Sequence, residues 1–284
     1  MLRSATLKAS ESDGPSDSRP RPCGGRIAPS LTGDDCDRRR VWFTAPMSGA
    51  RHEPDTFGVT ADTVLLTIRN GRLSVLLIER RYEPHRGSWA LPGGFIERDE
   101  DLDAGARREL AEETGIDVEP NHLEQLRSYG APGRDPRRRT VTIAYVAFVA
   151  RTPDPTAGDD ARAARFFAVD DLAIDDLGQS EGTPLAFDHA RIIADGVERA
   201  RAKLEYTTLA TAFVEDQFTI GELRRVYEAV WGMPLHEANF RRKVLGTPGF
   251  VEPTGETAPT DGRPAQLYRK GEATSLHPPI LRPT

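Results

Sequence analysis

Cysteine is almost missing from this chain. Its two cysteines, Cys23 and Cys36, both fall within the first 46 residues, so no disulfide can staple the remaining 238 residues or so. Apolar residues are sparse as well, at 38% of 284 positions. That is low for a chain with room for one large or two ordinary domains, and it points to a stretch that builds no core. Long hydrophobic runs are absent: the longest, around Val141–Ala150, is far short of the roughly 20 residues that a membrane helix needs. The start, Met1–Ser12, carries no apolar signal-peptide core. With a net charge of −6, the chain is not built to coat nucleic acid or membranes indiscriminately, although a local basic patch is compatible with that balance. These absences together predict a cytoplasmic protein with no membrane partner.

What is present changes character along the chain. Ser, Pro, Gly, Arg and Asp dominate the first 46 residues without apolar periodicity, and such a segment cannot bury enough surface to offset its ordering entropy. Residues 1–54 are therefore expected to form a disordered tail. Met47 is a second candidate start. Only Lys8, Lys203, Lys243 and Lys270 among 38 basic residues are lysine, as in GC-rich coding sequences, where upstream starts are easily misassigned.

From Val59 the pattern becomes regular. "VTADTVLLTI" and "LSVLLIERR" are two apolar runs separated by Arg-Asn-Gly-Arg, and Asn70-Gly71 is a hairpin signal. Thr140–Ala150 and Ala164–Leu172 read as further strands. "LDAGARRELAEET" reads as a helix ended by Gly115, and Pro184–Tyr206 as a longer helix.

The stretch Leu91–Ile116 holds five glutamates and three aspartates. Leu102, Ala106 and Leu110 recur every four residues and are expected to face the core, and Glu113 continues that stripe where another apolar residue would belong. A solvated surface helix would place each Glu four residues before a Lys or Arg. Glu109 and Glu113 instead form a like-charge pair at that spacing, at a cost of about 0.2–0.5 kcal/mol. Arg108 reaches Glu112 only in the weaker order. No side chain nearby is expected to supply enough counter-charge; a divalent cation, Mg²⁺ or Mn²⁺, would.

The spacing of Gly94, Glu100 and Arg108-Glu109-Leu110-Ala111-Glu112-Glu113-Thr114-Gly115-Ile116 resembles the complete Nudix box, without departures. The resemblance covers about residues 55–206. It implies an α/β fold, an α/β/α sandwich around a mixed sheet, and hydrolysis of a nucleoside diphosphate linked to another group. It further implies that the Gly93 carbonyl with Glu109, Glu112 and Glu113 holds Mg²⁺ or Mn²⁺. The catalytic candidates are Glu112, Glu109 and Arg108, with Glu112 the best placed to remove a proton and Arg108 and Glu100 expected to hold loop and helix together. The small residues Gly105 and Ala106 would let the helix sit close to the loop.

The next segment, "GAPGRDPRRRTVTIAYVAF", resembles the loop and strand of Nudix proteins that recognise ADP-ribose. Pro132, sixteen positions after Ile116, matches a proline of that group. Arg134 is a candidate contact to phosphate or ribose, against the plainer reading of a solvated loop arginine. Arg80 and Arg81 are the other substrate-binding candidates.

The C-terminal quarter is more than a minimal Nudix protein needs. Thr219 and Glu222 form a capping-box pattern, and Ile220, Leu223, Val226, Tyr227, Val230 and Trp231 form the apolar face of a helix ending at Gly232. A second helix is expected from Pro234, with Phe240, Val244 and Leu245 inward. "TTLATAFVED" would be a short third helix, and "FVEP" and "AQLYRK" a hairpin. Three helices and a hairpin describe a small winged helix-turn-helix over residues 207–271, followed by a tail at 272–284. Three consecutive helical residues span about 200° of the surface, so Arg241, Arg242 and Lys243 cannot all face DNA. Asn239 and Arg242 share a face and are the candidates for base edges; Arg241, Lys243 and Arg263 are candidates for phosphates. The competing reading is a helical cap or dimerisation module with a solvated basic patch.

A Nudix-like segment followed by "NFRRKVL" and "GRPAQLYR" resembles the NrtR family of Nudix-related transcriptional regulators. That resemblance implies a homodimer that senses ADP-ribose or a related NAD metabolite and binds operator DNA as a repressor. Some members have lost catalytic glutamates; this chain keeps them all. Two readings stand: a sensor-repressor that retains hydrolysis, and a metabolic ADP-ribose pyrophosphatase whose C-terminal domain is only structural.

Overall fold

The computed structural model of the chain describes residues 56–119, 123–150, 152–158, 161–175, 178–259 and 264–283. The expected N-terminal tail, the Met47 start and Arg263 lie outside these residues.

Strand β1 (Gly58–Arg69) and β2 (Arg72–Arg80) form the expected hairpin. Asn70 and Gly71 both take positive φ, 51° and 73°, the pair of angles that a two-residue hairpin turn with the native strand twist requires. Strands β3 (Trp89–Ala90) and β4 (Gly93–Phe95) bracket the loop before α1 (Leu102–Thr114), which Gly115 caps. Then come β5 (Leu123–Tyr129), β6 (Thr140–Phe148), β7 (Ala161–Ala168) and α2 (His189–Tyr206). The central order is β3-β2-β1-β6-β5, with β4 also on β1 and β7 on β2. β1 and β6 run parallel while the other pairs are antiparallel, so the sheet is mixed.

Both faces of this sheet are covered, which is why residues 60–67 of β1 and 73–78 of β2 are buried without alternation. Leu65, Leu76 and Ala147 turn toward Leu110 of α1. Their neighbours Val64, Leu66, Val75, Leu77, Val146 and Phe148 turn to the opposite face, toward Ile192, Ile193 and Val197 of α2. Each fully buried side chain of this kind contributes about 1.5–3 kcal/mol.

Three boundaries differ from expectation. β7 begins at Ala161, and residues 169–172 form a 3-10 turn in place of the expected strand end. α2 begins at His189 rather than Pro184, because residues 184–186 are drawn to the sheet edge: Trp89 N–H donates to the Pro184 carbonyl and Ala186 N–H to that of Trp89, at 2.9 and 2.8 Å. β5 was not anticipated.

The last part is a winged helix. α3 (Ile220–Trp231) begins with a reciprocal cap, Thr219 N–H to Glu222 at 2.7 Å and Glu222 N–H to the Thr219 hydroxyl at 3.1 Å. α4 (Glu237–Gly246) starts three residues later than expected, capped by His236. Phe240 and Val244 face inward, but Leu245 is 46% exposed. It lies five residues, about 500°, beyond Phe240 and so points away from the core. The expected third helix is a 3-10 turn, Leu209–Phe213. Here Thr211 returns its hydroxyl to the Thr208 carbonyl, a local bond that competes with α-helix. β8 (Phe218–Thr219), β9 (Val251–Ala258) and β10 (Ala265–Lys270) make the wing, in the order β8-β10-β9.

The winged helix has no separate core. The cluster that begins with Val64 and Leu66 continues through Leu204 to Tyr227, Trp231, Phe240 and Phe250. Tyr227 Oη donates to the Leu204 carbonyl and Trp231 Nε1 to that of Arg201, both at 3.2 Å. Residues 272–283, expected as a tail, lie along this body and bury Leu276 and Ile280. No helix among the described residues is long and apolar enough to cross a membrane.

Candidate functional site

α1 meets the β4 loop through its carboxylates. The Gly93 amide donates to Glu113 Oε2 at 2.8 Å. A Cβ on Gly94 would stand 2.5 Å from the Glu109 carboxylate, so only glycine lets backbone and acid approach this closely. Arg108 is the hub. Its guanidinium donates to Glu100 at 2.7 and 2.9 Å, to Glu109 at 2.8 Å, to Glu112 at 3.0 Å and to the Phe95 carbonyl at 3.2 Å. Arg108 does more than the expected contact to Glu112: one arginine serves three carboxylates, because the loop brings Glu100 to the helix flank, and a single positive charge is shared among them. Its hydrogen bonds hold Glu100 below the usual carboxylate range. Burial pushes Glu109 upward, against the pull of Arg108.

Glu109, Glu112, Glu113 and the backbone oxygens of the loop are hard donors, the chemistry that Mg²⁺ or Mn²⁺ takes. Glu113 meets the Gly93 amide and Glu109 lies close to Gly94, so the residue types, oxygen donors beside a loop backbone, suit such an ion. As arranged, Glu109 and Glu112 lean on Arg108 and Glu113 on the Gly93 amide, and among the described residues no three acidic, His or Cys side chains are gathered as a metal cluster.

Beside this edge opens a cleft of about 490 Å³, lined by Gly93, Arg108, Glu109, Glu113, Arg80, Arg81 and Arg134 among others. That size suits a small organic ligand. Glu112 stands outside the lining, its side chain 60% exposed.

The cleft floor is a buried polar network that the sequence did not announce. Arg134 is not a solvated loop residue: its side chain is 5% exposed. It forks onto Asp188 at 3.1 and 2.7 Å and lies 3.7 Å from Asp62. Asp188 is the residue before α2, and its carboxylate makes no capping bond there; Arg134 has drawn it into the floor. His189 is fully buried and held neutral by that burial. Its Nδ1 accepts from the Leu91 amide at 2.8 Å, so the ring proton sits on Nε2, which faces Asp62 at 3.9 Å. One signal was available: Asp62 is the only charge inside "VTADTVLLTI".

Phe187 and Phe95 supply apolar walls. Arg80 lies over the Phe187 ring at 4.9 Å, Arg137 at 5.9 Å, and Arg138 lies over Phe95 at 4.2 Å. Burial and the nearby Arg137 lower the Arg80 pKa. A cleft with arginines on aromatic faces beside clustered carboxylates offers contacts to both the rings and the anionic groups of a nucleotide. Arg81 is exposed, and its guanidinium reaches the Ala161 carbonyl at 3.4 Å.

The remaining candidates lie apart, on α4. Asn239 and Arg242 are exposed on its outer face. Arg241 leans to the wing, donating to Tyr268 Oη at 3.2 Å, and Lys243 leans the other way, to the Leu281 carbonyl at 3.3 Å.

Comparison with known proteins covers both parts. A NUDIX domain model matches residues 59–187, and a model of the NrtR DNA-binding winged helix domain matches residues 210–269. The ADPR responsive transcriptional repressor NtrR of Acinetobacter baylyi is 35% identical over 213 residues, 74% of this chain and 81% of that protein. The structure of Shewanella oneidensis NrtR complexed with a 27mer DNA superposes with a TM-score of 0.57 at 33% identity, over 75% of this chain and 93% of that one. A MutT/nudix family protein from Enterococcus faecalis superposes with a TM-score of 0.64 at 32% identity, over 77% and 88%. With a Nudix domain followed by a winged helix of this type, and a relative matched across most of its length, the chain belongs to the NrtR family of Nudix-related regulators.

Proposed function

We propose that this chain is a transcriptional repressor that binds ADP-ribose, or a closely related NAD metabolite, in the cleft and operator DNA through α4 and the wing. The observation that carries this reading is the coexistence, in one chain, of a nucleotide-sized cleft walled by arginines and aromatics with an α4 whose outer face presents Asn239 and Arg242. Residues 55–206 form the sensing part and 207–271 the DNA-reading part. Asn239 and Arg242 read base edges; Arg241, Lys243 and Arg263 meet phosphates. A single chain offers one such helix, so a palindromic operator calls for a homodimer.

The intact acidic helix supports hydrolysis of the bound nucleoside diphosphate as well. Glu109, Glu112, Glu113 and the Gly93 carbonyl would hold Mg²⁺ or Mn²⁺, which supplies charge neutralisation at the diphosphate and a more acidic water. Arg108, tied to Glu100 and the Phe95 carbonyl, would keep loop and helix in register, and Glu112 is the candidate to take a proton from water. Arg80 and Arg134 are the candidate contacts inside the cleft, and Arg81 the one at its edge.

The test is a gel shift of the protein against its own upstream region, with and without ADP-ribose. A shifted band that ADP-ribose weakens supports the repressor reading. Turnover of ADP-ribose with no affinity for that DNA would leave a metabolic pyrophosphatase.

A further inference from the structure

α2 runs from the floor of the cleft to the winged helix. Its first turn is pinned by the Arg134–Asp188 fork, at 3.1 and 2.7 Å. Its last turns are gripped by the C-terminal segment. Arg282 forks onto Glu198 at 3.1 and 2.7 Å and gives its amide to Glu205 at 3.1 Å. The Leu276 and Ile280 amides donate to the carbonyls of Tyr206 and Glu205, both at 2.8 Å. Buried Leu276 and Ile280, each 1% exposed, fix the segment to the core.

The same segment touches α4. The Leu281 carbonyl accepts from Lys243 at 3.3 Å, and the Pro278 carbonyl lies 3.5 Å from the Thr247 hydroxyl at the end of that helix. Residues 276–282 thus bridge the helix that leaves the cleft and the helix that faces DNA. Phe240 and Val244 hold the inner side of α4 to α3 and the core; the segment holds the side that carries Lys243.

We propose that residues 276–282 act as a strap that couples occupancy of the cleft to the position of α4 and to the freedom of Lys243. A ligand that shifts the Arg134–Asp188 fork moves the first turn of α2, and a helix transmits that displacement along its length. At the far end the Glu198–Arg282 fork passes it to the strap, which is seated on α4. The strap is a physical link with contacts at both ends, which is what coupling through packed elements requires. Lys243 travels with the strap through its bond to the Leu281 carbonyl, so a displacement that presses the strap onto α4 carries the ammonium away from a phosphate and weakens DNA binding. This inference rests on the sensor reading above.

The test measures operator affinity of the full chain by fluorescence anisotropy, with and without ADP-ribose, for wild type, Arg282→Gln, and the charge swap Glu198→Arg/Arg282→Glu. In wild type, ADP-ribose should weaken operator binding within the ~5–150-fold range typical of coupled sites. Arg282→Gln should bind ADP-ribose alone as wild type does and operator alone at least as tightly, yet the coupling factor should fall to about twofold or less. The charge swap should restore it, which a merely unfolded or destabilised variant would not do. Coupling retained in full by Arg282→Gln, or not restored by the swap, overturns the strap while leaving the sensor intact. A wild-type chain that binds operator equally with and without ADP-ribose overturns the sensor reading itself.

Discussion

Arg134 and Asp188, 54 residues apart in sequence, share two hydrogen bonds at the point where the cleft floor becomes the first turn of α2. Arg134→Ala leaves the carboxylates of Asp188 and Asp62 without their shared cation. The expected loss is about 2–3 kcal/mol of stability, short of the ~3–5 kcal/mol for a fully buried pair because Asp188 keeps some solvent. Arg134→Lys should recover only part, since it keeps the charge and loses the fork. Urea unfolding checks this, and an unchanged midpoint for the alanine variant would show that the floor is not held by this pair.

Glu112 differs from its neighbours in being exposed. Glu112→Gln should abolish metal-dependent hydrolysis of ADP-ribose while leaving the melting temperature where it was, because little packs on the side chain. Turnover at the wild-type rate would remove Glu112 from the catalytic set.

On α4, Arg242 and Lys243 should behave differently. Arg242→Ala should relax sequence preference at one operator position and cost about 1–3 kcal/mol of binding. Lys243→Ala should weaken all sequences alike and reduce the salt slope by about one. Titrations against operator and scrambled duplexes at several salt concentrations separate the two behaviours.

Glu124 of β5 accepts from Arg199 of α2 at 2.5 Å and pairs with Lys203. Burial alone would raise its pKa, but the two cations outweigh burial and hold it below the usual value. A depressed carboxylate stabilises the fold above its unfolded pKa of about 4.3, and that stability is lost as pH falls through the folded value. Glu124→Gln should therefore cost up to about 1 kcal/mol at pH 7, given the pair's partial exposure. The two proteins should converge as pH falls through that depressed folded value, and a difference that does not shrink on acidification would rule the ion pair out as its source.

How far the sequence revealed this molecule depended on whether its signals were local. The acidic helix, its glycine cap, the Asn70-Gly71 turn and the Thr219–Glu222 box are all set by neighbours within a few residues, and all could be read directly. β5 was hidden because a bulge between Gln125 and Arg127 breaks its register, so Leu126 and Tyr129 are buried three apart and the two-residue alternation of a strand is lost. The cleft floor was hidden for a different reason. Asp62, Arg134, Asp188 and His189 come from three separate segments, and only the closed sheet brings them together. Leu245 was misjudged through helical phase, although Phe240 and Val244 already marked the inward face.

Trp231 and Tyr227 close over carbonyls of α2, and Leu204 lies in the same core. A fragment starting after Tyr206 would present these aromatic surfaces bare to water and would tend to aggregate or melt. The DNA-reading end is thus no interchangeable cartridge that could be transplanted onto another sensor as it stands. The two carbonyls are backbone and survive any substitution there, so what must stay matched across this contact is side-chain volume: a smaller residue at Leu204 calls for compensating bulk around Tyr227 and Trp231.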